Sequence, residues 1–215
     1  MVKKIINPHF QEFKEAVNIC CEREPNSDVF LSNMSSASCS VERKPSFYSE
    51  KFLTPFIDME TIKLDDISEY RKQMLNLPVK SWFNKLPAVD AICIDSNNEW
   101  FFIEFKDAVL DNEIKSIRRK MINSIWFCCY MLSKSNKGKG ILNDDVIKFS
   151  REHITYIVVA KRDKNIAESE QVIEAEAQNN HFRPRKLIEY INYYFKDIYM
   201  LTEYEFRDFV LKFKS

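Results

Sequence analysis

The apolar positions change period several times along the chain, and each change predicts an element. Phe10, Phe13, Val17 and Cys20 form one helical stripe, so residues 8 to about 22 read as a helix ended by Pro25-Asn26. Residues 28–44 are rich in Ser and Asn and read as a loop. Residues 46–53 read as a short helix capped by Ser46 and stopped by Pro55. Residues 65 to about 76 read as another, with Ile67, Tyr70 and Met74 on one side, and 79–83 as a short strand. The period then drops towards two. Residues 88–94 and 100–105 are short runs of Ile, Val, Phe and Trp around the turn-forming Ser96-Asn97-Asn98, which predicts a β-hairpin. Helical spacing returns over 112–132, where Ile114, Ile117, Met121, Ile125, Cys128 and Leu132 mark a buried stripe.

Residues 133–144 read as a loop with local positive charge from Lys134, Lys137 and Lys139. The unbroken run ITYIVVA at 154–160 predicts a strand buried on both faces. Residues 161–168 read as charged loop, and part of the stretch to Asn180 as helix. Residues 184–195 read as a helix with Pro at its start and Leu187, Ile188, Ile191 and Phe195 inward. A short strand follows at 198–201. The capping box Thr202-Glu203-Tyr204-Glu205 then opens a last helix bearing Phe206, Phe209, Val210 and Phe213. From the hairpin on the order is ββ-α-β-α-β-α. It implies an α/β fold with parallel crossovers and a mixed β-sheet flanked by helices. One domain over 1–215 is expected, with a helical and loop-rich N-terminal region at 1–78.

The hairpin's apolar surface is broken by Asp90, Glu104 and Lys106, and a buried charge needs a partner or a metal. Glu104 and Lys106 are two apart on a strand, so they leave the same face. A two-residue loop would set Asp90 opposite Phe105, whereas a three-residue loop, Ser96 to Asn98, would set it opposite Glu104. The three-residue form commonly ends in a left-handed residue, which Asn98 suits, so chemistry and turn preference agree on that register.

Asp90, thirteen residues, then Glu104-Phe105-Lys106 resembles the PD-(D/E)xK nuclease superfamily. Val89 stands where that superfamily has Pro. The resemblance implies a restriction-endonuclease-like core and phosphodiester hydrolysis dependent on Mg²⁺ or Mn²⁺. It implies Asp90 and Glu104 as metal ligands, with Lys106 orienting water or neutralising the transition state. It also implies a further glutamate from an upstream helix, for which Glu50, Glu69, Glu12 and Glu15 stay open. The superfamily's next helix often lines the site, which marks Lys120 and Ser124. By residue type alone Lys120 reads as a lysine at the edge of the buried stripe, and Ser124 as a small packing residue.

Composition narrows the partners. Lys+Arg and Asp+Glu balance at 32 each, so a nucleic-acid site must be local. With two glycines in the chain, glycine-rich phosphate loops are excluded. Six cysteines without C-x-x-C indicate neither zinc nor a disulfide framework. No signal peptide or membrane span is expected, and the expected location is cytoplasmic. His9, His153 and His181 have no ligand spacing. Trp82, Trp100 and Trp126 read as packing, and Arg183, Arg185 and Lys186 as a basic surface cluster. The expected function is a metal-dependent nuclease, with DNA ahead of RNA as its nucleic-acid partner. The alternative is a non-catalytic protein-binding module, such as an immunity or inhibitor protein, on a nuclease-like fold.

Overall fold

The computed structural model describes residues 7–24, 27–28, 30–44, 47–54, 59–64, 67, 87–143 and 145–213. The expected strand at 79–83 lies outside them, as does the helix at 65–76 apart from Ile67. Eight strands are described: β1 (Leu31–Asn33), β2 (Cys39–Lys44), β3 (Phe47–Phe52), β4 (Glu60–Ile62), β5 (Ala91–Ile94), β6 (Trp100–Lys106), β7 (Ile154–Ala160) and β8 (Asp197–Thr202). The helices are α1 (Pro8–Cys20), α2 (Met34–Ala37), α3 (Leu110–Leu132), α4 (Asn136–Leu142), α5 (Val146–His153), α6 (Ile166–Ala177) and α7 (Glu203–Phe213). None of them is long and apolar enough to cross a membrane.

Six strands form one sheet in the order β1-β4-β5-β6-β7-β8, while β2 and β3 pair separately. The successive pairs β1–β4, β4–β5 and β5–β6 are antiparallel, and β6–β7 and β7–β8 are parallel. The expected mixed sheet is therefore present. Every residue of β7 is buried, as its unbroken apolar run requires. Tyr156 and Val158 join a core that includes Phe13 and Val17 of α1 and Ile117, Met121 and Cys128 of α3. Ile157 and Val159 face the other way, to Met34 of α2 and Phe206 and Val210 of α7. Helices thus cover both faces of the sheet. The aromatic anchor of the larger core is Trp100, edge-on to Phe13 at 5.0 Å and to Phe149 at 5.3 Å between ring centroids.

Several elements differ from the expectations. Residues 28–44 are not loop: they hold β1, α2 and β2, and Asn33 caps α2 by accepting the Ser36 N–H at 2.8 Å. Of the helix expected at 46–53, the described residues Phe47–Phe52 instead form β3, which pairs with β2 from Cys39↔Phe52 to Lys44↔Phe47. β4 was not expected. The basic stretch 133–144 contains α4, capped by Ser135 and ended by Asn143 in the left-handed conformation, φ 47°. Gly138 sits hard against the end of α3, where a Cβ would come within 2.3 Å of the Leu132 carbonyl oxygen. Asp145 caps α5 through the Lys148 N–H at 2.9 Å, and residues 162–168 are a 3-10 turn leading into α6.

Residues 184–195 do not form the expected helix. They hold a 3-10 turn, Ile188–Tyr190, and a left-handed Asn192, φ 63°. Leu187 and Phe195 are buried as expected, but Ile188 is half exposed. The segment is held at one end by Arg183, whose Nε and Nη2 each donate to Asp197 at 2.8 Å. At the other end Asn192 N–H donates to the Phe195 carbonyl at 2.8 Å. These bonds draw the chain into turns that tertiary contacts favour over helix propagation.

Asn98 supplies a check on the hairpin. Its φ of 63° is one that β-branched residues avoid. Asn98→Val is expected to lose about 1–2 kcal/mol of stability in urea unfolding, while Asn98→Gly is neutral or stabilising. Equal midpoints for Val and Gly would show that the turn does not depend on this conformation.

Candidate active site

The site is set by the β5–β6 register. Ala91 pairs with Ile103 and Ile94 with Trp100, and Asp95 N–H donates to the Glu99 carbonyl at 3.0 Å. The loop is therefore Ser96 to Asn98, with Asn98 left-handed, the expected three-residue form. One step beyond Ala91↔Ile103, Asp90 stands opposite Glu104. Phe105 N–H donates to Asp90 Oδ2 at 2.8 Å, which fixes one carboxylate oxygen and leaves Oδ1 aimed at the face carrying Glu104.

That face lies beneath α3, and the helix closes on it through two polar ties. Ser124 Oγ accepts the Val89 N–H at 2.8 Å and donates to the Lys120 carbonyl at 2.6 Å, while Asn123 Nδ2 donates to the Pro87 carbonyl at 3.0 Å. Ser124 is thus a tether of the Asp90 strand as well as a small packing residue. Lys120 is a site residue. Its Nζ stands 2.8 Å from Asp90 Oδ1 and 2.9 Å from both Glu104 oxygens. Lys106 Nζ lies 2.8 Å from Glu104 Oε1 and 3.0 Å from Glu113 Oε2. Two strands and one helix thus bring three carboxylates and two ammonium groups together.

Glu113 was not expected from the sequence. The signal lay in helical spacing: Glu113, Lys120 and Ser124 stand seven and four residues apart, one flank of a helix. Glu50 lies on β3 opposite Val41, not on a helix, so its assignment as an upstream helical acid is corrected. Glu69 lies outside the described residues, as does Trp82. Glu12 and Glu15 lie on α1, and Glu15 pairs with Lys137 at 3.2 Å. Asp107 pairs with Lys164 at 2.9 Å, Arg183 with Asp197 and Lys186 with Asp111, each at 2.8 Å for the last two.

Burial dominates the electrostatics. The Glu104 side chain is fully buried, while Asp90 keeps 17% and the two lysines 12% of their side-chain surface. Desolvation, then the charge of Asp90, pushes the Glu104 carboxyl up to about 8, against the pull of Lys120 and Lys106. For Lys106 burial disfavours the charge, but the Glu104 carboxylate outweighs it and holds the ammonium above its usual value. The two shifts oppose each other, since the gain at Lys106 exists only while Glu104 is ionised. Burial decides the direction at Glu104.

Among the described residues no group of three or more His, Cys, Asp or Glu could hold a metal ion. No protein-family model matches the chain, and neither the curated proteins nor the solved structures gave a match.

The raised carboxyl has a consequence for stability. The folded state holds the Glu104 proton up to about pH 8, whereas the unfolded chain releases it near the ordinary carboxylate value. The folded state therefore binds more protons across that window. The stabilising contribution is full below the unfolded value and is lost as pH rises through the folded one. Thermal unfolding in EDTA at pH 5 to 8.5 is expected to show wild type losing stability relative to Glu104→Gln as pH rises. Parallel curves would remove the shift.

Proposed function

We propose that this site hydrolyses a nucleic-acid phosphodiester with Mg²⁺ or Mn²⁺, on a restriction-endonuclease-like core. The observation that carries the reading is convergence: oxygens of Asp90 and Glu104 meet within 2.9 Å of one point, the Lys120 nitrogen. The order of elements supports it as well. An antiparallel β5–β6 pair bearing Asp90 and Glu104-x-Lys106 is followed by α3 and then by parallel β7.

The donor set suits a hard divalent ion, which takes one or two carboxylates and leaves its other positions to water and phosphate oxygens. The fit carries a condition, because the point on which the acids converge holds an ammonium. Lys120 must swing aside for an ion to bind there. Bound there, the ion would supply charge stabilisation and a water of lowered pKa. The chain's own groups do the rest. Phe105 N–H orients Asp90, and the buried wall around Glu104 keeps its carboxylate in one place. Lys106 would turn from Glu104 to the scissile phosphate and stabilise charge on its oxygens. One water is consumed, one P–O ester bond breaks, and the leaving oxygen takes a proton.

The non-catalytic protein-binding reading is favoured by one observation, the same Lys120 bridge, which satisfies both acids without a metal. Titration of Mn²⁺ by calorimetry, alongside cleavage assays on single- and double-stranded DNA and RNA, separates the two. Asp90→Ala and Glu104→Gln are expected to weaken Mn²⁺ binding. Lys106→Ala is expected to spare binding and slow cleavage by about 10²–10⁴-fold, the range for one positioned group. Lys120→Met is expected to tighten Mn²⁺ binding by about tenfold or more, because the ion no longer displaces an ammonium. Absent binding and absent cleavage in wild type would overturn the hydrolase and leave the binding module. Unchanged affinity in Lys120→Met would show that the lysine does not compete with the ion.

A further inference from the structure

α3 carries a second surface, on the flank that faces solvent. Lys115, Arg119, Ile122, Trp126 and Tyr130 follow one another at three- or four-residue steps and so line one stripe of the helix, and Lys134 stands just beyond its end. Trp126 is 46% exposed and Ile122 38%. The rings of Trp126 and Tyr130 are stacked, 5.2 Å between centroids and 15° between planes, and the Lys134 ammonium stands 4.5 Å over the Tyr130 ring. Phe127 meets Trp126 edge-on at 5.0 Å and holds it in place from the core side. Lys115 and Arg119 make no ion pair among the described residues.

Two features of the stripe point to its occupant. Its three charges are all positive, in a chain whose total charge is zero. Its apolar part consists of stacked aromatic rings between those charges. Lysine is depleted from the cores of protein interfaces, so this composition does not suit a second copy of the chain. It does suit a strand whose phosphates meet cations while its bases stack on rings. Base faces are open to such rings only in an unpaired strand.

We infer that the outer face of α3 binds single-stranded nucleic acid, with Trp126 and Tyr130 as the stacking platform and Arg119 and Lys134 meeting phosphates. The site acids are reached from another flank of the same helix. On a helical wheel Trp126 stands roughly 120° from Lys120, on the side away from the buried stripe, and about 9 Å further along the axis. The stripe and the flank from which Lys120 reaches Asp90 and Glu104 are thus two separate sides of one helix. The inference rests on the hydrolase reading for the fate of that strand, and not for its binding.

The test is fluorescence anisotropy of labelled oligothymidylate and oligouridylate in excess EDTA, where no metal-dependent cleavage occurs. Wild type is expected to bind, with affinity falling as salt rises. The double variant Trp126→Ala/Tyr130→Ala is expected to bind at least about tenfold more weakly, in line with the loss of base stacking. Trp126→Phe keeps a ring and is expected to retain most of the affinity, which guards against misfolding of the double variant. Arg119→Glu is expected to weaken binding and to flatten its salt dependence. Unchanged affinity in the double variant would overturn the inference, and so would equal affinity for a duplex of the same length. Self-association in sedimentation that Trp126→Ala abolishes would reassign the stripe to a protein interface. Stripe-dependent binding without cleavage in Mn²⁺ would sustain the inference and sink the hydrolase. Cleavage with unchanged binding by the double variant would do the reverse.

Discussion

Burying an ionisable carboxyl on the inner face of a sheet costs several kcal/mol unless charge and hydrogen bonds come to it. Much of the arrangement around the β5–β6 hairpin answers that cost at Glu104. The residue cannot turn to solvent, because β6 is flanked by paired strands on both sides and α3 lies over its face. Partners must therefore arrive along the same face. Lys106 arrives by strand periodicity and Asp90 by hairpin register. Lys120 arrives from the helix, down the side of the buried stripe. The polar ties of Ser124 and Asn123 to the chain just before β5 keep helix and strand close enough for the lysine to reach.

This constraint also accounts for what the sequence made legible. A strand's side chains alternate without exception, so the pairing of Glu104 with Lys106 followed from spacing alone. A hairpin admits few loop lengths, so turn chemistry at Asn98 could choose among registers. The stripe of α3 and the run of β7 were readable because burial imposes a single period on each. Lys120 was harder to read. A lysine at the margin of an apolar stripe usually extends its ammonium to water, and only the tertiary position of Asp90 and Glu104 turns this one inward.

Elsewhere the pattern was weak for a physical reason. Strand β2, CSVERK, alternates only over Cys39 and Val41, and it pairs with β3 in a two-stranded ribbon separate from the six-stranded sheet. Nothing in its own composition separates it from loop. α4, NKGKGIL, combines two glycines with two lysines, poor material for an isolated helix. Its formation rests on the Ser135 cap and on Gly138, whose missing side chain lets the helix meet the end of α3. Residues 184–195 erred in the opposite direction. Leu187, Ile191 and Phe195 recur near helical spacing, yet the Arg183–Asp197 clamp and the Asn192 turn use the same residues in a non-helical path.

Charge accounting separates a structural salt bridge from a site prepared for a ligand. With every group ionised, Asp90, Glu104 and Glu113 carry three negative charges against two positive ones on Lys106 and Lys120. Among these five described groups the charges do not cancel. Burial first, and then the charge of Asp90, raises the Glu104 carboxyl to about 8. Replacing such a cluster by apolar side chains of similar volume is often neutral or stabilising, so fold stability alone gives little reason to keep it. A proton on Glu104 is one way to balance the charge. The proposed divalent ion is another, and it differs in its effect on Lys120. A proton leaves the lysine between the two acids, whereas an ion at that point would have to displace it.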